Sequence, residues 1–210
     1  MLRDPAPGKP LFPEFGENHE VRLANLRWLV ERAQKFGIKI YHYINEPRGM
    51  PHAFFAARPE LAGVRSGELT AICTSVPDVR KWMSDSLAFI FQEVPGLGGI
   101  YSITASENLT NCASHGDQSA CPRCKDRADT EILAEVVAAQ EEGVHRVAPD
   151  ARVLISDWGW RGHGDARDIV ARLPQNICLV SVSEWQLPIT RGGIQSTVGE
   201  YSISAVGPGP

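Results

Sequence analysis

Apolar residues recur at three- and four-residue steps between Glu20 and Phe36, where Leu26, Leu29, Val30 and Ala33 fall on one stripe, and Gly37 stops it. That spacing predicts a helix. Residues 38–44 (Ile-Lys-Ile-Tyr-His-Tyr-Ile) then have the β-branched and aromatic content of a strand. The same order returns downstream. Ser75 is a candidate helix cap, Pro77 suits a first helical turn, and Val79, Trp82, Met83, Leu87 and Ile90 form a second stripe, which Gly98 and Gly99 break ahead of a strand at 100–103. A third stripe (Ile132, Leu133, Val136, Val137, Val144) leads into a strand at 153–156, and a helix at 165–173 leads into a strand at 177–182. Residues 201–206 read as one more strand.

Helix and strand alternating with short joints predict an α/β fold with parallel strands, because parallel neighbours need a crossover and a helix supplies it. An open doubly wound sheet usually carries a Gly-rich phosphate turn, and the chain has no G-x-G-x-x-G or Walker pattern. The expectation is therefore a (β/α)8 TIM-barrel type, incomplete: about five strand units are visible, whereas a full barrel has eight in roughly 250 residues. The start in a Pro-rich loop and the finish at Gly207-Pro-Gly-Pro210 agree with a partial barrel domain over 1–210. Sheet edges left open by missing barrel segments would need those segments, or a partner chain, to cover them.

Composition narrows the picture. Of 210 residues, 43% are hydrophobic and 22% charged, which suits one packed core and excludes a disordered chain. The 21 Lys+Arg against 25 Asp+Glu leave a formal charge of −4, which argues against a nucleic-acid partner held by bulk charge. No apolar run approaches the roughly 18–20 residues needed to cross a bilayer, so no membrane partner is expected.

In a barrel, reactive groups gather where strands end. The predicted strands are followed by Asn45-Glu46-Pro47-Arg48, by Ser106-Glu107-Asn108, by Asp157-Trp158-Gly159-Trp160 and by Glu184-Trp185. A single acid at a strand end is ordinarily a solvated loop residue or a cap, and a single Trp is ordinarily core. Four acids at equivalent positions, two of them beside indoles, instead suit a sugar: one carboxyl protonates the glycosidic oxygen, a second group supports the anomeric cation, and indole faces pack on the ring's C–H side.

Two phrases carry a family resemblance. Residues 40–52 (Ile-Tyr-His-Tyr-Ile-Asn-Glu-Pro-Arg-Gly-Met-Pro-His), followed by Arg58-Pro-Glu-Leu61, resemble the third-strand region of glycoside hydrolase family 20, the β-N-acetylhexosaminidases. Residues 98–107 (Gly-Gly-Ile-Tyr-Ser-Ile-Thr-Ala-Ser-Glu) are similar to that family's fourth strand, which ends in a catalytic Asp-Glu pair. The resemblance implies a carbohydrate substrate, no cofactor for catalysis, and Glu107 as general acid. Ser106 stands where the family's Asp would orient the substrate acetamido group, a departure that removes a charge from substrate-assisted catalysis. Glu46, Arg48, His52, Asn108, Asp157, Trp158, Trp160, Glu184 and Trp185 would line the sugar cleft. In a competing register, Asn45-Glu46-Pro47 resembles the Asn-Glu-Pro of the retaining-glycosidase clan, which implies Glu46 as acid/base and Glu184, three strands on, as nucleophile. A third reading is a degenerate barrel that binds carbohydrate without cleaving it.

Five cysteines are an odd number, and Cys112, Cys121 and Cys124 crowd one stretch while Cys73 and Cys178 stand apart. An evenly spread disulfide framework is not the pattern. Cys112, His115, Cys121 and Cys124 together offer three thiolates and an imidazole, a donor set suited to structural zinc. A disulfide within the loop, or free thiols, is the plain alternative.

Overall fold

The computed structural model describes residues 2–6, 10–105, 107–115, 118–182, 187–197 and 203–206. After a helix α1 (His19–Gln34), strand β1 (Tyr41–Ile44) leads into three short strands, β2 (Met50–Pro51), β3 (Ala62–Ser66) and β4 (Leu69–Ile72). Helix α2 (Pro77–Glu93), strand β5 (Gly99–Ile103), helix α3 (Asp129–His145), strand β6 (Arg152–Ser156), helix α4 (Ala166–Val170) and strand β7 (Ile177–Val182) follow in alternation. The hairpin β8 (Pro188–Arg191) and β9 (Ile194–Thr197) and strand β10 (Ile203–Val206) end the described chain.

The main sheet has the order β1-β5-β6-β7-β10, with β1, β5, β6 and β7 parallel. These four strands succeed one another in a single direction, each joined to the next through a helix, so right-handed crossovers leave α2, α3 and α4 on one face. The register explains which side chains they cover. His42 pairs with Ile100 and Ile100 with Val153, while Ile44 pairs with Ser102 and Ser102 with Ile155. Paired residues of a parallel sheet point the same way. Ile44, Ile100, Ser102, Val153 and Ile155 are all buried, as are Met83 and Leu87 of α2 and Ile132, Leu133 and Val136 of α3, two helices that pack on each other. The opposite face carries Tyr43, 53% exposed, stacked on Tyr101 at 5.9 Å between ring centres. Gly99 opens β5 where a Cβ would lie 1.9 Å from the Arg152 carbonyl oxygen, so only glycine permits β5 and β6 to approach there.

Most predicted elements are present with trimmed ends, and four points differ. The last strand, β10, runs antiparallel to β7, so the parallel order stops at four strands. Residues 50–72 form a second, antiparallel sheet in the order β2-β4-β3 between β1 and α2, whose strands are too short to show alternation. The fourth helix is five residues long. Ser75 does not cap α2: the residue before the helix is Val76, with no side-chain cap, and the Ser75 hydroxyl is engaged elsewhere. Among the described residues, no helix is long and apolar enough to cross a membrane.

Candidate functional site

Four cysteines meet at the end of the sheet where the parallel strands finish. Cys73 directly follows β4, and Cys112, Cys121 and Cys124 come from residues 104–128 between β5 and α3. All four are fully buried, and their sulfurs lie within 4.8 Å of one another. Cys73 Sγ is 3.8 Å from Cys121 Sγ and 3.7 Å from Cys124 Sγ. Those separations are far beyond a disulfide's roughly 2.05 Å, and all five cysteines are free. Four converging thiols of this kind could bind a metal ion.

Local sequence builds the arrangement. Cys121 and Cys124 sit at the two ends of a turn in which the Cys124 amide donates to the Cys121 carbonyl at 3.0 Å, so the C-x-x-C spacing turns both thiols the same way. Arg123, inside that turn, donates from Nε to Cys73 Sγ at 3.3 Å and from its terminal guanidinium to the Ala62 carbonyl. Ser75 Oγ lies 3.2 Å from Cys124 Sγ and accepts from Arg127 at 2.8 Å. Gly63 leaves the space that Cys112 fills, since a Cβ there would lie 2.5 Å from the sulfur. Hydrogen bonds from the neighbouring thiols, first that of Cys112, hold the Cys73 thiol well below the usual thiol range, and Cys121 is lowered to about 6 by the same kind of contact.

His115 is not in this cluster. Its Nδ1 lies 3.1 Å from Ser66 Oγ at the exposed end of β3, and Cys73 occupies the place the sequence pattern gave to the imidazole. The three-cysteine, one-histidine set is therefore corrected to four cysteines. Cys73 lies 39 positions before Cys112, and no local spacing in the sequence ties it to the other three.

Beside the cluster lies an acidic rim. Asn45 Nδ2 donates to the Ile103 carbonyl at 3.2 Å, tying the end of β1 to the end of β5. The Arg48 amide donates to Glu46 Oε2 at 3.0 Å, the Arg48 guanidinium donates to Asn108 Oδ1, and Asn108 Nδ2 donates to Glu107 Oε1 at 3.1 Å. Glu46 and Glu107, 61 positions apart in sequence, thus belong to one hydrogen-bonded chain. Burial pushes the Glu46 carboxyl above the ordinary carboxylate range, against the opposing contact with Arg48, whereas the Glu107 side chain belongs to an exposed residue. Glu46 also borders a cleft of about 350 Å³ between α1, β1 and α2, shared with His42, His19 and Phe89. Burial lowers the basicity of His42 there.

Asp157 and Trp158 stand at the end of β6, both half-buried, and Asp157 accepts from Ser181 Oγ on β7. Trp160 does not line a cleft. It is fully buried, and its Nε1 donates to Thr104 Oγ1 at 3.0 Å, so its indole is core rather than a sugar platform. His52 reaches the small sheet, with Nδ1 2.7 Å from Thr70 Oγ1. His163 packs at the start of α3 with Nδ1 3.0 Å from Asp129 Oδ2. Ser106, Glu184 and Trp185 lie outside the described residues.

The rim and the thiol cluster share one loop. Gly49, just after Arg48, donates to the Leu109 carbonyl at 2.6 Å, and three residues later Cys112 enters the cluster. Thr110 Oγ1 and Asn111 Nδ2 both donate to the Thr104 carbonyl, at 2.7 and 2.8 Å, which folds residues 104–114 back over the strand end. Compared with known proteins, the chain matches no family model and no curated protein.

Proposed function

We propose that the chain is a barrel-type glycoside hydrolase domain, similar to family 20, that cleaves a carbohydrate at this rim with Glu107 as the proton donor. The single observation that carries the reading is the Glu46–Arg48–Asn108–Glu107 chain, which joins two carboxyl groups from the segments that follow β1 and β5 at the end of the sheet. Support for the barrel comes from four parallel strands whose crossover helices share one face; the uncovered face with Tyr43 and Tyr101 would then look into the lumen. In this reading Glu107 gives its proton to the leaving oxygen, water adds its hydroxyl to the anomeric carbon and returns its other proton to the Glu107 carboxylate, and Asp157 and Trp158 contact the sugar. Four thiolates around a metal ion would leave no open coordination position, so the cluster takes no part in the acid–base step.

A specific observation favours the competing assignment of the acid. Glu46 is the carboxyl whose proton affinity is raised by burial, the property wanted in a general acid near neutral pH. Turnover of a panel of aryl glycosides by the full chain separates the two assignments. Glu107→Gln is expected to lower kcat at least 100-fold while sugar binding persists, with Glu46→Gln acting mainly on KM. The converse pattern assigns the proton to Glu46. A chain that binds sugars but turns over none of the panel is a binder and not a hydrolase.

A further inference from the structure

We propose that Cys73, Cys112, Cys121 and Cys124 form a tetrahedral zinc site that clamps the loop after β4 to the loop after β5. Cys73 is the fourth ligand, and His115 is not one. The inference is independent of any hydrolytic activity, since it concerns metal binding alone.

Ligand spacing supports it first. A tetrahedral ion with Zn–S bonds of about 2.3 Å sets its sulfurs about 3.8 Å apart. Cys73 Sγ stands 3.8 and 3.7 Å from two of its partners, and no ligand pair exceeds 4.8 Å, so a modest inward shift completes the shell. Charge is the second argument. Four thiolates around a divalent ion carry a net charge of −2, which is costly in a fully buried site unless cations and donors face it. Arg123 contacts Cys73 directly, and Arg127 reaches Cys124 through the Ser75 hydroxyl. Both arginines are held in place, Arg123 by the Ala62 carbonyl and Arg127 by Glu135 at 2.6 Å. Shape is the third, because Gly63 and the C-x-x-C turn provide the room and the common direction that the sulfurs need.

A tetrahedral set of four thiolates suits zinc or iron. The proposal commits to zinc, a redox-inert ion that closes structural four-cysteine sites of this kind, and every donor here is fully buried with no open coordination position. The consequence is mechanical. Among the described residues of 104–128 the regular structure is one short helical turn, Gln118–Ala120, and Thr110, Asn111 and Ser114 are buried polar groups, so a bound ion adds a constraint to the packing of Leu109 and Ala113. Because Gly49 is bonded to Leu109 within the same loop, the clamp also holds Arg48 against Asn108.

Elemental analysis of the purified full chain is expected to give about one zinc per chain. Replacing zinc by cobalt is expected to give the intense visible bands of a tetrahedral ion and a thiolate-to-metal charge-transfer intensity of four sulfurs. Cys73→Ser is expected to weaken zinc retention at least 100-fold against a competing chelator, while His115→Ala and Cys178→Ser leave it unchanged. Should Cys73→Ser fail to fold, the cobalt spectrum of the unaltered chain still decides, since three-sulfur intensity would overturn the assignment. Stoichiometric iron, absence of stoichiometric zinc, or loss of zinc in His115→Ala would equally overturn it.

Discussion

The helix-covered side of the sheet and the loop that follows β5 solve the same problem by different means. Beneath α2 and α3, Ile100, Val153, Ile155, Leu87, Leu133 and Val136 exclude water from a backbone whose hydrogen bonds are already made in the ladder and the helices. In the described residues of 104–114 the backbone belongs to no helix or strand. Thr110, Asn111 and Ser114 make side-chain bonds to the Thr104 and Asn111 carbonyls and to nearby amides, and the thiol cluster follows. Area buried sets the stability of the first region, and satisfaction of individual polar groups sets that of the second. The first should tolerate loss of any one hydrogen bond and suffer from lost volume; the second should behave the other way round.

The largest effect in this contrast belongs to the core. Leu133→Ala removes a fully buried side chain from α3 and is expected to cost about 2–5 kcal/mol of global stability, depending on how far the site collapses. Denaturant unfolding followed by far-UV circular dichroism measures it. Metal retention by the folded fraction should be unchanged, because Leu133 supplies no donor atom to the four-thiol set, although it belongs to the same packed core. A parallel loss of metal would show that the two regions are not energetically separate.

Much of the first region was legible in the sequence, and much less of the second. Leu87, Met83, Leu133 and Val136 lie on stripes that helical spacing exposes, so α2 and α3 follow from local pattern alone. The small sheet of β2, β3 and β4 did not follow, because Met50–Pro51 is two residues long and Ala62–Ser66 and Leu69–Ile72 carry fewer β-branched and aromatic residues than β1 and β5. Strand direction was equally hidden: 203–206 has strand composition in either sense, and pairing with β7 decides it. The sequence set Glu46, Arg48, Glu107 and Asn108 at neighbouring strand ends, and hydrogen bonds join them there, because strand ends converge in any parallel sheet. Cys73 and His115 were exchanged because coordination is a three-dimensional property; His115 is nearer along the chain, and Cys73 is nearer in space. Trp160 was misread for the complementary reason: a Trp at a strand end looks like a platform until its Nε1 is seen to be needed by Thr104.

That last bond gives the intermediate effect. Trp160→Phe keeps an aromatic ring in a fully buried site but removes the donor to Thr104 Oγ1, at an expected cost of about 1–2 kcal/mol. The loss should be local. Amide hydrogen exchange is expected to quicken in residues 104–114, whose fold turns on the Thr104 carbonyl, with little change in the central amides of α2 and α3. Uniform acceleration across both regions would mean that the loop and the core open as a single unit, contrary to the distinction drawn between them.

The smallest effect tests whether charge matters on the helix layer at all. Partial burial alone would raise the Asp85 carboxyl, but hydrogen bonds from Lys81 and from Arg146, the latter at 2.8 Å, outweigh it and hold the group below the ordinary carboxylate range. A depressed folded-state value means that the stabilisation is present above the unfolded value and is lost as pH falls through the folded one. Both partners are partly exposed, so solvent and salt screen the pair and its worth is at most about 1 kcal/mol. Asp85→Asn is therefore expected to lower stability slightly at neutral pH, and the gap between variant and parent should close on acidification to about pH 2–3, below the ordinary carboxylate range. Because Asp85 and Arg146 join α2 to the end of α3, a loss well beyond that bound would show that the helix layer depends on this ionic contact and not on buried area alone. A gap that failed to close at low pH would assign the effect to shape or hydrogen bonding in place of charge.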